Sequence, residues 1–234
     1  MSRRLIVNAD DFGQSAGVTR GIIEAHERGI VTSTSLMVRW PGATGAAEYG
    51  RAHPALGVGL HLDLGEWTCR DGEWVPLYEV VPAGEPDKVA AEADRQLAQF
   101  RSLMLRDPTH IDSHQHTHRD DPARTVAMTM ARAIGVPLRH FHDAVSYCGG
   151  FYGQTEDGSP YPDGVSADHL CALITALPAG ITELACHPGY AGDLDTLYRE
   201  EREQELRSLC DNAVREAVRK GRIELCSFES LRAE

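Results

Sequence analysis

Four short clusters in the sequence combine metal-ligating with acid–base side chains. They are Asn8-Ala9-Asp10-Asp11-Phe12-Gly13, Gly59-Leu60-His61-Leu62, the run from His110 to His118, and Cys186-His187-Pro188-Gly189-Tyr190. Each closes or follows a β-rich run, so all four would gather at the C-terminal ends of strands. Taken singly, two of them say little: an Asp–Asp pair after a strand is commoner as a helix-entry turn, and a lone histidine such as His61 as a hydrogen-bonded core residue. The third cluster is denser. His110, Asp112, His114, His116 and His118 alternate and would share one face if the strand runs on. His116 and His118, beside Arg119 and Asp120, read equally well as solvated turn residues. Asp112 near His114 is the pairing that fixes an imidazole tautomer for metal binding. One carboxylate with His61 and His114 would make a three-ligand site with open positions for water and substrate, a hydrolytic metal centre. Two imidazoles and a carboxylate suit zinc, iron, nickel or cobalt better than magnesium, which prefers oxygen.

The elements that must position these residues alternate between strand and helix. Leu5–Ala9 predicts a strand and 15–28 a helix closed by Gly29; Thr32–Val38 and Val58–Leu62 are further strands around a short helix over Ala43–Arg51. A helix over Lys88–Leu105 leads to a strand over Thr109–His114, a helix over Ala123–Ile134 and a fifth strand over Val136–His140. A helix over Ala167–Leu177, a strand over Thr182–Cys186, a long charged helix over 197–220 and a strand over Ile223–Cys226 complete the pattern. Two stretches read as insertions: 66–86, with Trp67, Trp74 and the turn pair Asp71-Gly72, and 146–164, rich in Gly, Tyr, Pro and Asp. Strand–helix alternation of this kind implies parallel strands, and chemistry at several strand ends favours an α/β fold built as a distorted (β/α)7 TIM-like barrel, with 1–234 as one domain.

Composition narrows the partners. With 23 basic against 35 acidic residues the formal charge is −12, which leaves no basic stripe for nucleic acid or an anionic membrane. The apolar runs are too short to span a bilayer, and Met1-Ser2-Arg3-Arg4 leads into a strand with no secretory h-region, so a cytoplasmic protein is expected. The 6 cysteines form no C-x-x-C pair and read as reduced filler. Charged helical faces such as Arg199–Arg207 read first as solvated surface and second as an interface of a homo-oligomer.

The segments Leu-Ile-Val-Asn-Ala-Asp-Asp-Phe-Gly, Gly-Ile-Val-Thr-Ser-Thr-Ser, Gly-Leu-His-Leu, Thr-His-Ile-Asp-Ser-His-Gln-His and Cys-His-Pro-Gly-Tyr together resemble the YdjC-like carbohydrate deacetylases. They run in order from Leu5 to about Leu231. The resemblance implies a (β/α)-barrel metalloenzyme that removes acetyl groups from N-acetylated amino sugars. It implies a divalent ion on the residues matching Asp11, His61 and His114, a base at Asp10 and a second acid/base group at His187. Magnesium is also described in that family, so zinc stands first and magnesium second.

The residues are compatible with that reaction. Hydrolysing an acetamide needs an activated water, a stabilised oxyanion and a proton for the departing amine. Adjacent Asp10 and Asp11 could divide these tasks at a strand-to-loop turn, one binding metal while the other takes the water proton. Arg139, ending the fifth strand, could orient Asp10 or serve as a structural clamp. Trp67, Trp74, Tyr147, Phe151, Tyr152 and Tyr161 could stack on sugar faces or form local mini-cores. The rivals are another metal-dependent barrel enzyme, a phosphoesterase or sugar isomerase, and a non-catalytic sugar-binding relic. An acetylated sugar is the expected small-molecule partner.

Overall fold

The computed structural model describes residues 2–70, 72–155, 157–194 and 198–231. Its core is a seven-stranded parallel sheet. The strands are β1 (Arg3–Phe12), β2 (Ser33–Leu36), β3 (Gly57–Leu62), β6 (Ile111–Ser113), β7 (Val145–Cys148), β8 (Gly180–Cys186) and β9 (Ile223–Leu225). Between β3 and β6 lies an antiparallel hairpin of β4 (Gly65–Arg70) and β5 (Glu73–Glu79). The helices are α1 (Ala16–Arg28), α2 (Ala43–Ala52), α3 (Pro86–Met104), α4 (Ala123–Ile134), α5 (Ala167–Ala176), α6 (Glu200–Leu209) and α7 (Asn212–Lys220).

The strand order is β6-β3-β2-β1-β8-β7, with β9 also on β1. The sheet curls but stays open: among the described residues no ladder joins β6 to β7, so the expected closed (β/α)7 barrel is corrected to a curled, open parallel sheet. The reason lies in the expected fifth strand, Val136–His140. It makes only one isolated bridge, Leu138 to Ile111, and His140 then turns the chain away in the left-handed region at φ 68. The strand on the other edge, β7, arises instead at the start of what reads as the second insertion. The long charged helix is two helices, broken at Asp211, which caps α7 by accepting a hydrogen bond from Ala213 N–H at 2.7 Å. Leu197, its expected start, and Asp71 of the expected turn lie outside the described residues.

Strand β1 shows how the sequence divides the core. Leu5, Val7 and Ala9 pack with Val18, Ile22 and Ala25 of α1 in the apolar cluster between sheet and helices. The alternate positions include Asn8 and Asp10, both buried, on the inner side of the curl. Helices α2, α3 and α4 pack in succession, as do α7, α5, α6 and α1. Ser15 starts α1 by accepting a hydrogen bond from Val18 N–H at 3.0 Å. Gly17 and Gly21 let the loop after β8 lie directly on α1: a Cβ on them would come 1.9 Å from Tyr190 O and 2.5 Å from Gly189 Cα. That contact fixes the path of His187 to Tyr190. No helix among the described residues is long and apolar enough to cross a membrane.

Candidate active site

Asp10 and Asp11 both lie within β1, where strict alternation would send them to opposite faces. The register on β2 slips between Ala9 and Phe12, and Asp11 takes φ 68, a conformation aspartate tolerates better than most residues. This bulge turns Asp11 back toward the strand ends. There its Oδ1 lies 3.0 Å from His114 Nδ1 and 3.3 Å from His61 Nε2. One ligand atom from each of Asp11, His61 and His114 falls within 4.8 Å of the others, and all three residues are buried.

Asp112 pairs with His61, not with His114 as the sequence spacing suggests: His61 Nδ1–H donates to Asp112 Oδ1 at 2.7 Å. The alternation from His110 onward fails because β6 ends at Ser113 and the chain enters a 3-10 turn with Gln115 and His116 left-handed, at φ 49 and 54. His110 points elsewhere, stacked on Phe228 at 3.9 Å between ring centroids. His118 is buried rather than solvated, its ring between Ser113 Oγ at 2.6 Å and Arg139 O at 3.1 Å, and it does not reach the cleft. His116 does reach the cleft, with Nε2 3.1 Å from the Tyr147 hydroxyl. Burial, helped by the charge of Arg139, draws His116 down to about 2 and His118 to about 4, so both are neutral at pH 7.

Arg139 is fully buried and serves three carboxylates. Its Nη1 donates to Asp10 Oδ2 at 2.6 Å, Nη2 to Asp10 Oδ1 at 2.7 Å and to Asp112 Oδ2 at 2.8 Å, and Nε to Glu183 Oε1 at 2.7 Å. Asn8 Nδ2 also donates to Asp10 Oδ1, at 2.8 Å, and Ser35 Oγ to Asp112 Oδ2 at 2.8 Å. Burial alone would raise Asp10, but Arg139 overcomes it and holds the carboxyl below its ordinary value. At Asp11 burial is outweighed by Arg202 and His114, and the carboxyl sits well below the usual range. Burial likewise opposes charge on the imidazoles, yet Asp112 lifts His61 to about 10 and Asp11 lifts His114 to about 9. The carboxylates therefore draw positive charge to the space that Asp11, His61 and His114 enclose, a field suited to a cation. A donor set of two imidazoles and one carboxylate, with one ring oriented by Asp112, fits a divalent ion. Asp10, His61 and Asp112 also converge, but the Arg139 guanidinium already bonds both carboxylates there.

On the other side of Asp10, His187 follows β8 with Nε2 3.8 Å from Asp10 Oδ2. Its backbone N–H donates to Glu205, which also accepts from the Tyr198 hydroxyl, and its Nδ1 lies 3.8 Å from Glu205 Oε1. These groups open into a cleft of about 650 Å³. Trp67 and Trp74 of the hairpin line one part and Tyr147, Phe151, Tyr152 and Tyr198 another, whereas Tyr161 lies outside it. The hairpin is tied to the turn after His114 by the Gln115 amide, which accepts from Trp67 N–H and donates to Trp67 C=O, both at 2.8 Å. Glu66 Oε2 comes 3.5 Å from His114 Nε2.

Glu66, Glu183, Arg202 and Glu205 are absent from the sequence-based site. For the last two a signal existed: Arg202, Glu205, Leu206 and Leu209 form the buried stripe of α6, so two of its charges occupy inward positions. Glu183 was visible as a lone charge within an apolar strand. Nothing in the spacing points to Glu66.

The curled sheet is a fold shared with carbohydrate esterases: a family 4 carbohydrate esterase from Streptomyces lividans, solved in complex with acetate, superposes with a TM-score of 0.56 at 12% identity, covering 96% of this chain and 91% of that one. The chain itself belongs to the YdjC-like protein family, whose model matches residues 4–220. It is similar to a chitooligosaccharide deacetylase from Serratia marcescens, 32% identical with 99% of this chain and 100% of the relative covered. A carbohydrate deacetylase from Geobacillus stearothermophilus is 35% identical, with 81% of each chain covered.

Proposed function

We propose that this protein is a metal-dependent hydrolase that removes the N-acetyl group from an acetylated amino sugar or oligosaccharide. The observation that carries this reading is the convergence, in one aromatic-walled cleft, of the Asp11–His61–His114 group with Asp10 and His187. The names of the relatives supply the substrate class. Asp11, His61 and His114 would hold the ion, and the nitrogen-rich donor set favours zinc over magnesium. A bound divalent ion would acidify water and polarise the acetyl carbonyl, help that a carboxylate as weakly basic as Asp10 needs.

The remaining work falls to the chain. Asp10, kept ionised by Arg139 and aimed by Asn8, accepts the proton of the attacking water. His187 gives a proton to the amide nitrogen as the C–N bond breaks, so acetate and a free amine leave. Glu205 holds His187 at its backbone and flanks its ring. Trp67 and Tyr152 offer flat apolar faces to a sugar ring. The test is acetate release from N-acetylglucosamine oligomers, before and after chelation and with metal restored. Release that chelation abolishes and zinc restores is expected. Undiminished release from metal-free protein overturns the metal role, and no release from any acetylated sugar overturns the reaction.

A further inference from the structure

Two oxygens of Asp11 have sharply different surroundings. Both imidazoles of the candidate metal group face Oδ1, His114 Nδ1 at 3.0 Å and His61 Nε2 at 3.3 Å. The other oxygen, Oδ2, accepts a hydrogen bond from Arg202 Nη2 at 2.7 Å. Arg202 is itself held from several sides: its Nε donates to Tyr198 O at 3.0 Å, Nη1 to His187 O at 3.4 Å and Nη2 to Gln14 Oε1 at 3.3 Å. It is 2% exposed, on the inward stripe of α6. A guanidinium buried this deeply and bonded on each nitrogen has little freedom to leave Oδ2.

We infer that Arg202 is a positioning residue: it takes Oδ2 of Asp11 out of play and presents Oδ1 alone to a cation held with His61 and His114. This rests on the metal-site reading above. A positive charge beside a cation site would ordinarily weaken cation binding, so an arginine retained there needs a compensating role. Asp11 sits on a bulge at positive φ, where its carboxylate gains no direction from regular strand geometry. Arg202 supplies that direction. It also ties the ligand to the His187 loop through His187 O, so the metal group and the proposed proton donor share one anchor.

The sign of the effect makes the inference testable. Apo protein is titrated with Co²⁺ and binding is followed by visible absorption, in the parent, Arg202→Met and Arg202→Lys. Melting temperatures are measured alongside to confirm folding at the titration temperature. A positioning role predicts about 10- to 100-fold weaker Co²⁺ binding in Arg202→Met. It also predicts partial recovery in Arg202→Lys, which keeps one donor for Oδ2. If the guanidinium acts only as charge, Arg202→Met binds Co²⁺ as tightly as the parent or more tightly, and the inference is overturned. A loss in Arg202→Met that Arg202→Lys does not recover at all also overturns it, because orientation of Oδ2 would then not be what was lost. Absence of Co²⁺ binding in the parent would be the distinct failure, removing the metal site itself.

Discussion

Replacing Arg139 by Met should be among the most damaging single changes in this protein, for reasons unrelated to catalysis. The side chain donates to Asp10, Asp112 and Glu183, all buried, through charge-assisted bonds of 2.6 to 2.8 Å. Methionine keeps the stem but leaves these carboxylates facing one another without the guanidinium that bonds all three. Removing one partner of a buried ion pair costs about 3–5 kcal/mol. In a chain of this size each kcal/mol lowers the melting temperature by about 2–4 °C, so Arg139→Met should melt roughly 6–20 °C below the parent at pH 7.5. The pH dependence has a definite sign. In the parent, Asp10 and Asp112 lie below their unfolded values, so they contribute stability above about pH 4, lost as pH falls through the lower folded values. Without Arg139, burial loses its largest opponent at both carboxyls and raises them, although His61 still draws both down. Ionised, they then cost stability, and that cost disappears as acidification protonates them. Glu183, which burial already lifts to about 7 against Arg139, moves further in the same direction. The gap between parent and variant should therefore narrow from pH 7.5 to pH 5. Scanning fluorimetry at both pH values measures it. A drop under about 3 °C, or a gap that widens on acidification, would refute the view that Arg139 neutralises this buried cluster.

Other outcomes follow from the site. Asp10→Asn should keep its metal, since Asp10 lies outside the Asp11–His61–His114 group, yet lose on the order of 10² to 10⁴ in kcat; loss of metal, read by elemental analysis, would make Asp10 the ligand. His187→Ala should retain metal and lose kcat on an acetamide, with a smaller deficit on an acetyl ester whose leaving group needs less protonation. Equal losses on amide and ester would leave His187 a structural or oxyanion-binding role.

The parts of the fold that follow from periodicity were legible in the sequence: the strand–helix alternation, the start of α1 near Ser15 and the placement of chemistry at strand ends all have local causes, whereas the break at Asp211 is hidden inside a charged run that reads as one helix. Sheet closure has no local cause. Whether Val136–His140 joins a ladder depends on His140 turning left-handed and on the pairing of the following strand β7 with β8 at the opposite edge, neither of which a local pattern encodes. The site divides the same way. Histidine and aspartate clusters announced themselves, whereas the bulge that redirects Asp11 and the pairing of Asp112 with His61 arise from register between strands. Glu205 and Arg202 were hidden for a different reason: a helix rich in Glu and Arg looks solvated unless its apolar stripe is traced through the charged positions.

Strand β1 has a further consequence, for the order in which the chain acquires structure. Its Asn8–Phe12 end pairs with β2, its Arg3–Leu5 end with β9, and Arg3–Ala9 of its opposite edge with β8. Where β2 and β9 part company, the Thr32 hydroxyl bridges the fork, accepting from Val7 N–H at 3.1 Å and donating to Cys226 O at 2.6 Å. A ribosome releases β1 first, but two of its three partners emerge only after residue 179. Until β8 emerges, β1 keeps an open edge, the kind that recruits other strands. Folding that waits on contacts this distant in sequence is intrinsically slow. A nascent chain stalled before β8 should therefore depend on chaperones far more than the finished protein does.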